Sequence, residues 1–119
     1  MTLKRIAIYT LVAAGPLLLL TCKPDDVPPQ MAMISPTEGE TLMVGPVTIK
    51  VWALDKESGV DSVEFSIDYK SLAWATFGLD DTFETTWNAD SVGPHYVGAA
   101  AFDRKDNFNI RGATVYIKR

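Results

Sequence analysis

The stretch 62-SVEFSID-68 decides the fold class of this chain. Its apolar residues Val63, Phe65 and Ile67 alternate strictly with polar ones, which is the period of a β-strand with one face in the core. The run 47–54 alternates in the same way, with Val47 on the side predicted to face inward. No window of about 11 residues beyond the N-terminal region shows the helical period. The sequence therefore predicts an all-β domain.

On either side of these two runs, the chain divides into short apolar stretches separated by turn residues. About seven strands are expected, near 31–34, 47–54, 62–68, 72–77, 83–87, 96–102 and 113–117. Polar, glycine-containing or proline-containing segments lie between them, including the acidic pair Asp80-Asp81, which we interpret as a solvated turn. This number and spacing of strands is typical of an antiparallel β-sandwich.

Length and charge limit the classes of function. With 119 residues the chain holds one ordinary domain. Beyond the N-terminal Lys4 and Arg5 it carries 9 basic and 15 acidic side chains, a net charge of about −6. The basic residues are scattered singly or in pairs, whereas a phosphate backbone requires them in clusters. Nucleic acid is therefore excluded as a partner.

The first 21 residues have the organisation of a bacterial export signal. Two positive charges at Lys4 and Arg5 precede the uncharged stretch 6–20. That stretch is shorter than the roughly 20 residues a membrane-spanning helix needs, and Gly15-Pro16 interrupts it. A permanent transmembrane helix remains the alternative.

Cys22 is the only cysteine, so the chain contains no internal disulfide and no cysteine-rich zinc site. The motif Leu19-Leu20-Thr21-Cys22 resembles the bacterial lipobox. The resemblance implies that Cys22 becomes an acylated N-terminus, which two or three acyl chains would hold on a membrane. The alternative is an incidental free thiol near an ordinary cleavage site.

The next residues indicate a cellular address. Lys23-Pro24-Asp25-Asp26 is similar to the surface-export signal of lipoproteins in the Bacteroidetes group, which implies the outer membrane or the cell surface. The segment 22–30 also contains three prolines and is predicted to be an extended tether. The expected organisation is thus signal peptide 1–21, tether 22–30 and β-domain 31–119.

The domain itself resembles the bacterial immunoglobulin-like (Ig-like) domains of exported proteins. The motifs that carry this resemblance are Ile34-Ser35-Pro36-x-x-Gly39, Val47-Thr48-Ile49, Ala53-x-Asp55, Ser58-Gly59-Val60, Val63-Glu64-Phe65, Thr86-Trp87-Asn88, Gly93-Pro94-His95, Ala101-x-Asp103 and Asp106-Asn107. A Gly-containing hairpin turn is usual where this chain has Tyr69-Lys70. The resemblance implies an Ig-like sandwich of about seven strands, here without the disulfide of antibody domains.

Two groups of side chains are candidate binding residues. Asp55 and Asp103 end strands that the Ig-like topology places in facing sheets, and with Asp106 they could supply oxygens to Ca²⁺. The alternative is that these carboxylates accept hydrogen bonds from their own loops. No other cofactor is expected.

The second group is a set of aromatic side chains. In the Ig-like topology Tyr96, Phe102 and Tyr116 share the outer face of one sheet, with small residues between them and Trp74 on the neighbouring edge. Such a face suits a sugar ring or a protein partner. The alternatives are that strands simply favour aromatic residues, or that the segment around Trp74 folds over this face.

Catalysis is not expected. The only histidine, His95, lies in no nucleophile or H-x-x-x-H motif, and a sandwich of this size offers little cleft for paired acids. The sequence therefore predicts a non-catalytic binding or adhesion module, anchored to a membrane by lipid, with a glycan or an envelope protein as partner. A structural spacer or subunit of an envelope assembly is the alternative, and a calcium-binding module is a more distant one.

Overall fold

The computed structural model describes residues 26–119, so the predicted signal peptide and Cys22 lie outside the described residues. This part of the chain forms eight strands and no helix. They are β1 (Gln30–Ser35), β2 (Thr41–Met43), β3 (Gly45–Leu54), β4 (Val60–Ile67), β5 (Lys70–Ala75), β6 (Thr82–Ala89), β7 (Gly93–Asp103) and β8 (Phe108–Lys118). Among these residues no helix has the length and apolar character needed to cross a bilayer.

The strands form two sheets that pack face to face. One has the order β1-β3-β6 and the other the order β2-β8-β7-β4-β5. All neighbours are antiparallel except β2 and β8, which run parallel. The predicted all-β Ig-like sandwich is confirmed.

The alternating residues of the opening stretches fill the space between the sheets. Val63 and Phe65 of β4 and Ile49 and Val51 of β3 are fully buried. Trp87 of β6 is 7% exposed and lies in the core, as its position in the strand predicts. The faces of these strands therefore follow the sequence period of two.

Two features of the larger sheet differ from the prediction. Strand β2 was not expected, because three residues are too few to show a period, and its partner strand is far away in sequence, with Thr41 opposite Tyr116. Strand β8 begins at Phe108, five residues earlier than predicted. Its first part carries exposed Phe108 and Ile110, so the apolar side chains there point away from the core and the usual pattern is inverted.

The register fixes which loops meet at each end of the sandwich. Gln30 lies opposite Leu54, and Trp52 lies opposite Thr82, so the chain enters beside the loops 55–59 and 76–81. The β7–β8 loop 103–107 lies at this end too, since Val60 pairs with Asp103. We call this the tether end. The turns at 68–69 and 90–92 lie at the opposite, distal end.

Candidate functional site

Aromatic residues stand at both ends of a row of small residues on the outer face of the larger sheet. The strand register places the outward side chains in four rows across β5, β4, β7 and β8. From the tether end they are Ser62, Phe102 and Phe108; then Trp74, Glu64, Ala100 and Ile110; then Ser66, Gly98 and Gly112; then Tyr96 and Thr114. The two middle rows thus have small residues on β7, between aromatic residues in the outer rows.

At the tether end of this face three rings pack together. Trp74 stacks on Phe102 with ring centroids 5.8 Å apart, and Phe102 contacts Phe108 at 5.7 Å. Trp74 remains 57% exposed and Phe108 52% exposed. These three residues, the Trp74 cluster, lie at the tether end of the outer face.

The opposite end of the row of small residues holds a pair of stacked tyrosines. Tyr69 and Tyr96 lie 5.1 Å apart with ring planes only 14° from parallel. Tyr96 can lie down on the sheet because glycines leave room for it: a β-carbon at Gly98 would stand 3.2 Å from the Tyr96 ring, and one at Gly112 would overlap it. Tyr69 covers the other side of that ring and is itself 83% exposed.

A tight turn between β4 and β5 brings Tyr69 into this position. Asp68 and Tyr69 both have positive φ, 51° and 69°, as the central residues of a two-residue hairpin turn do. The left-handed conformation is unfavourable for tyrosine. Two hydrogen bonds hold the turn against β7: the Asp68 N–H donates to the Tyr96 carbonyl, and the Tyr96 N–H donates to Asp68 Oδ1, both at 2.8 Å.

His95 also stabilises this turn, through a contact with Asp68. Its Nδ1 lies 2.6 Å from Asp68 Oδ2 and its Nε2 lies 2.7 Å from the Ser91 carbonyl oxygen. Both neighbours are acceptors, so both ring nitrogens can donate only when the imidazole is protonated. The ring also packs edge-on against Trp87 at 5.3 Å.

The titration of this pair follows from the contacts. The hydrogen bond to Asp68 raises the pKa of His95 above its usual value, burial opposes the rise, and the Ser91 carbonyl and the charges of Asp68 and Asp90 add to it. Burial would raise the pKa of Asp68, but the Tyr96 N–H, His95 and Lys70 together lower it. The pair therefore favours the protonated imidazole together with the ionised carboxylate.

Between the tyrosine pair and the Trp74 cluster lies a shallow trough of about 260 Å³. Gly98 and Ala100 form its floor, while Glu64 and Ser66 supply polar groups along one side. Ile110 closes the other side. We refer to this depression as the aromatic trough.

The predicted aromatic residues occupy different places relative to the aromatic trough. Tyr96 lines it, whereas Phe102 and Trp74 lie outside its lining, at the tether end of the same sheet face. Tyr116 lies on the same sheet beyond Tyr96, opposite Pro94, and is 55% exposed. The alternative that the Trp74 segment folds over this face is realised only in part: Trp74 covers Phe102, Gly98 is buried beneath the Tyr96 ring, and Ala100 stays half-buried.

Three contributors to this face were not predicted from the sequence. Tyr69 was interpreted only as part of a turn, and nothing local indicates that it stacks on a residue 27 positions later. Phe108 and Ile110 precede the last predicted strand, 113–117, and were assigned to no strand. Their spacing of two residues was the available signal, and it indicates one face of a strand.

The acidic candidates lie at the tether end, away from the aromatic trough. Asp103 is only 2% exposed. Its Oδ1 accepts the N–H groups of Lys105 and Asn107 at 2.8 and 2.9 Å, and its Oδ2 accepts Asn107 Nδ2 at 2.9 Å. Burial would raise the pKa of Asp103, but the Asn107 and Lys105 donors, with a contact to Asp55, lower it to about 2.

Asp55 closes the β3–β4 loop in the same manner. Its Oδ1 accepts the N–H groups of Glu57 and Ser58, each at 2.9 Å, while its buried Oδ2 has no hydrogen-bond donor. Asp106 lies in the next loop with a φ of 66°. Within residues 26–119 no three His, Cys, Asp or Glu side chains are grouped so that they could hold a metal ion. The contacts favour the loop-closing alternative, and calcium binding stays a prediction.

The fold of this chain is similar to that of several solved structures. Of the solved structures, the fibronectin(III)-like modules of Clostridium thermocellum CbhA match with a TM-score of 0.67 and 19% identity, over 77% of this chain and 47% of that one. The endo-beta-1,4-mannanase of Thermotoga petrophila matches with a TM-score of 0.63 and 9% identity, over 80% and 21%. The PKD1 domain of Vibrio anguillarum Epp matches with a TM-score of 0.53 and 12% identity, over 79% and 98%.

These likenesses show the sandwich fold alone, since identity is low and this chain spans about half of the first structure and a fifth of the second. No curated protein sequence matches the chain significantly. The family model described as bacterial Ig domain matches residues 29–99, which is more than half of the sequence and runs from the start of the first strand into β7. Sequence and fold agree, and the chain belongs to the bacterial Ig domain family.

Proposed function

We propose that this protein is a lipid-anchored Ig-like domain of the bacterial surface that binds a neutral glycan along the aromatic trough. Domains of this family are typically extracellular or surface-associated and are generally non-catalytic. The proposal adds a cellular location, a lipid anchor and a ligand class to that general role. Each of the three has its own support and its own test.

The ligand class rests on one observation, the placement of aromatic residues at both ends of a row of small residues on the outer sheet face. The seven residues from Tyr96 to Phe102 span roughly 20 Å of extended strand. The C–H faces of sugar rings stack on aromatic rings, and a sheet face of this length accommodates several rings of an extended glycan. Glu64 and Ser66 lie beside the floor, where they can hydrogen-bond with sugar hydroxyls.

Charge favours a neutral glycan over an anionic one. Residues 26–119 carry 14 acidic and 8 basic side chains. Glu64 lines the aromatic trough itself, so a uronate or phosphate group there would meet a like charge. A protein partner on the same face is the competing occupant.

The anchor is supported by residues 1–22, the export signal with its lipobox-like end. The Cys22 thiol would carry the lipid, and the following Lys-Pro-Asp-Asp segment supports a location in the outer membrane, facing the cell surface. Acyl chains contribute about 0.8 kcal/mol for each buried methylene, so double or triple acylation holds a protein on a bilayer almost permanently.

Glycan binding is tested by isothermal titration of the domain with a panel of neutral hexasaccharides: cellohexaose, mannohexaose and xylohexaose. Trp74→Ala should weaken binding by tenfold or more, since loss of one stacked ring removes about 1–3 kcal/mol by analogy with base stacking. Tyr116→Ala is the matched control, because Tyr116 is 55% exposed and Trp74 57% exposed, on the same sheet face.

The outcomes distinguish a glycan from a protein partner at this site. Binding of at least one hexasaccharide that Trp74→Ala weakens and Tyr116→Ala preserves supports the proposal. If none of the three binds, the glycan assignment is wrong, and if both variants lose binding equally, the placement of the glycan in the aromatic trough is wrong. Recovery of a stoichiometric envelope protein that Trp74→Ala releases would replace the glycan by a protein partner.

The anchor is tested separately with Cys22→Ser in the full-length chain. The variant should lose the acyl mass from the mature protein and leave the detergent-rich phase on phase separation, without unfolding. Retention of the variant in the membrane as firmly as the wild type would favour an uncleaved transmembrane helix and end the lipid assignment.

A further inference from the structure

We propose that the tether end is a membrane-contacting surface in which Phe77 and Leu79 dip into the interface of a lipid bilayer. This inference rests on the proposed lipid anchor at Cys22 and goes beyond it, because it assigns an orientation and contact residues to the folded domain. Phe77 is 79% exposed and Leu79 is 72% exposed. Both lie in the loop 76–81.

The core leaves no place for these two side chains. Between them, Gly78 lies directly on the Phe83 ring, where a β-carbon would come within 2.9 Å of the ring. Phe83 itself is 6% exposed and fills the core below the loop. Phe83 therefore fills the core position beneath this loop, and Phe77 and Leu79 stay on the surface.

The loop is also held in shape, so the exposure is a property of its fold. Leu79 and Thr82 exchange two backbone hydrogen bonds of 3.1 and 3.0 Å around the turn residues Asp80 and Asp81. Those residues have φ of 53° and 60°. The Asp81 carbonyl also accepts the Ala53 N–H at 2.9 Å, which fastens the turn to β3.

The tether reaches the domain at the same end. Val27, 50% exposed, and Phe77 lie on either side of Leu54 and Asp55, which border the surface depressions next to both. Cys22 precedes Asp26 by four residues, a span of at most about 14 Å. Acyl chains on Cys22 would therefore hold this end of the sandwich close to the bilayer surface.

Side-chain chemistry favours lipid over a charged partner at this end. Aromatic and leucine side chains are the groups that bury themselves about 5–10 Å into the interface region of a membrane. The three loops at the tether end carry more acid than base: Asp55, Glu57, Asp80, Asp81, Asp103 and Asp106 against Lys56, Arg104 and Lys105. The contact is therefore apolar and is expected to prefer a zwitterionic surface over an anionic one.

The test uses the full-length protein, processed in cells and reconstituted into phosphatidylcholine vesicles. Since Cys22 is the only cysteine and its thiol is acylated, Leu79→Cys would carry the only free thiol for an environment-sensitive fluorophore. Val92→Cys is the matched control: Val92 is 51% exposed and lies in the distal turn 90–92. Doxyl-labelled phosphatidylcholine quenches only a fluorophore that reaches the lipid.

We expect the fluorophore at position 79 to lose roughly half of its emission to the doxyl lipid and the one at position 92 to lose almost none. Equal quenching at both positions in acylated protein would overturn the proposed contact between the tether end and the bilayer, and would leave the proposal of a lipid anchor unaffected. Shielding of position 79 from aqueous iodide without quenching by the lipid would assign the patch to a protein contact instead. Absence of acyl mass on Cys22 would reject the anchor, and the inference with it.

Discussion

Asp103 is the side chain whose replacement tests the account of the tether end most directly. It is 2% exposed and accepts three hydrogen bonds that close the β7–β8 loop, from Lys105 N, Asn107 N and Asn107 Nδ2. Asp103→Ala removes all three acceptor contacts. Asp103→Asn keeps the Oδ1 acceptor of the two backbone N–H groups and loses only the contact with Asn107 Nδ2.

The magnitude follows from these contacts. A hydrogen bond to a charged group contributes about 1.5–3 kcal/mol, and the loop donors lie near enough to water to recover part of that. We expect Asp103→Ala to lower the free energy of unfolding by about 3–5 kcal/mol, and Asp103→Asn by about 1–2 kcal/mol. For a domain of this size the alanine variant corresponds to a fall in Tm of roughly 15–25 °C.

The assay is urea unfolding of residues 23–119, followed by tryptophan fluorescence near neutral pH and in acid. The pKa of Asp103 is lowered from 3.8 to about 2 in the folded state, so its ionised form stabilises the fold above the unfolded pKa. That contribution is lost as the pH falls through about 2. The stability difference between the wild type and Asp103→Asn should therefore shrink in strong acid.

Two results would refute this reasoning. A loss below about 1 kcal/mol for Asp103→Ala would mean that the loop closes without the carboxylate. Equal losses for the alanine and asparagine variants would show that the two backbone N–H contacts contribute nothing. In either case the preference for loop closure over a calcium site would lose its basis.

Three further predictions concern other parts of the domain. His95→Gln should remove a stabilisation that the wild type has in full below about pH 6.5 and loses as the pH rises through the raised pKa of His95. NMR titration of the ring and unfolding from about pH 6 to 9 measure this effect. An unchanged pH profile of stability would contradict the contact between His95 and Asp68. Gly112→Ala should displace the Tyr96 ring and destabilise the fold by about 1–3 kcal/mol, seen as a lower Tm and a changed near-ultraviolet circular dichroism; a native spectrum would contradict the close approach. Millimolar Ca²⁺ should leave the Tm unchanged, because the Asp55 and Asp103 carboxylates already close their loops, and a rise of several degrees would instead establish a calcium site.

Much of the fold could be predicted because the strands depend on local sequence patterns. Alternation with a period of two assigns residues such as Val51 and Phe65 to the core face of their strands, and a shift by one residue would expose all of them. An aspartate at the end of a strand, as at Asp55 and Asp103, indicates a loop closed by its own carboxylate. The outward aromatic residues Tyr96 and Phe102 follow from the same parity.

Only the tertiary structure decided which side chains meet on these faces. Tyr69 joins the aromatic trough because the register of β4 and β7 brings a turn residue over Tyr96, and that register depends on packing between segments distant in sequence. The exposure of Phe77 has a similar origin, since Phe83 occupies the core beneath its loop. The sequence by itself determined most of the strands and their inward sides, because these depend on neighbouring residues, while the lipid anchor at Cys22 stays a prediction. The trough and the apolar tether end depend on which strands become neighbours, and that is settled only when the two sheets close on one core.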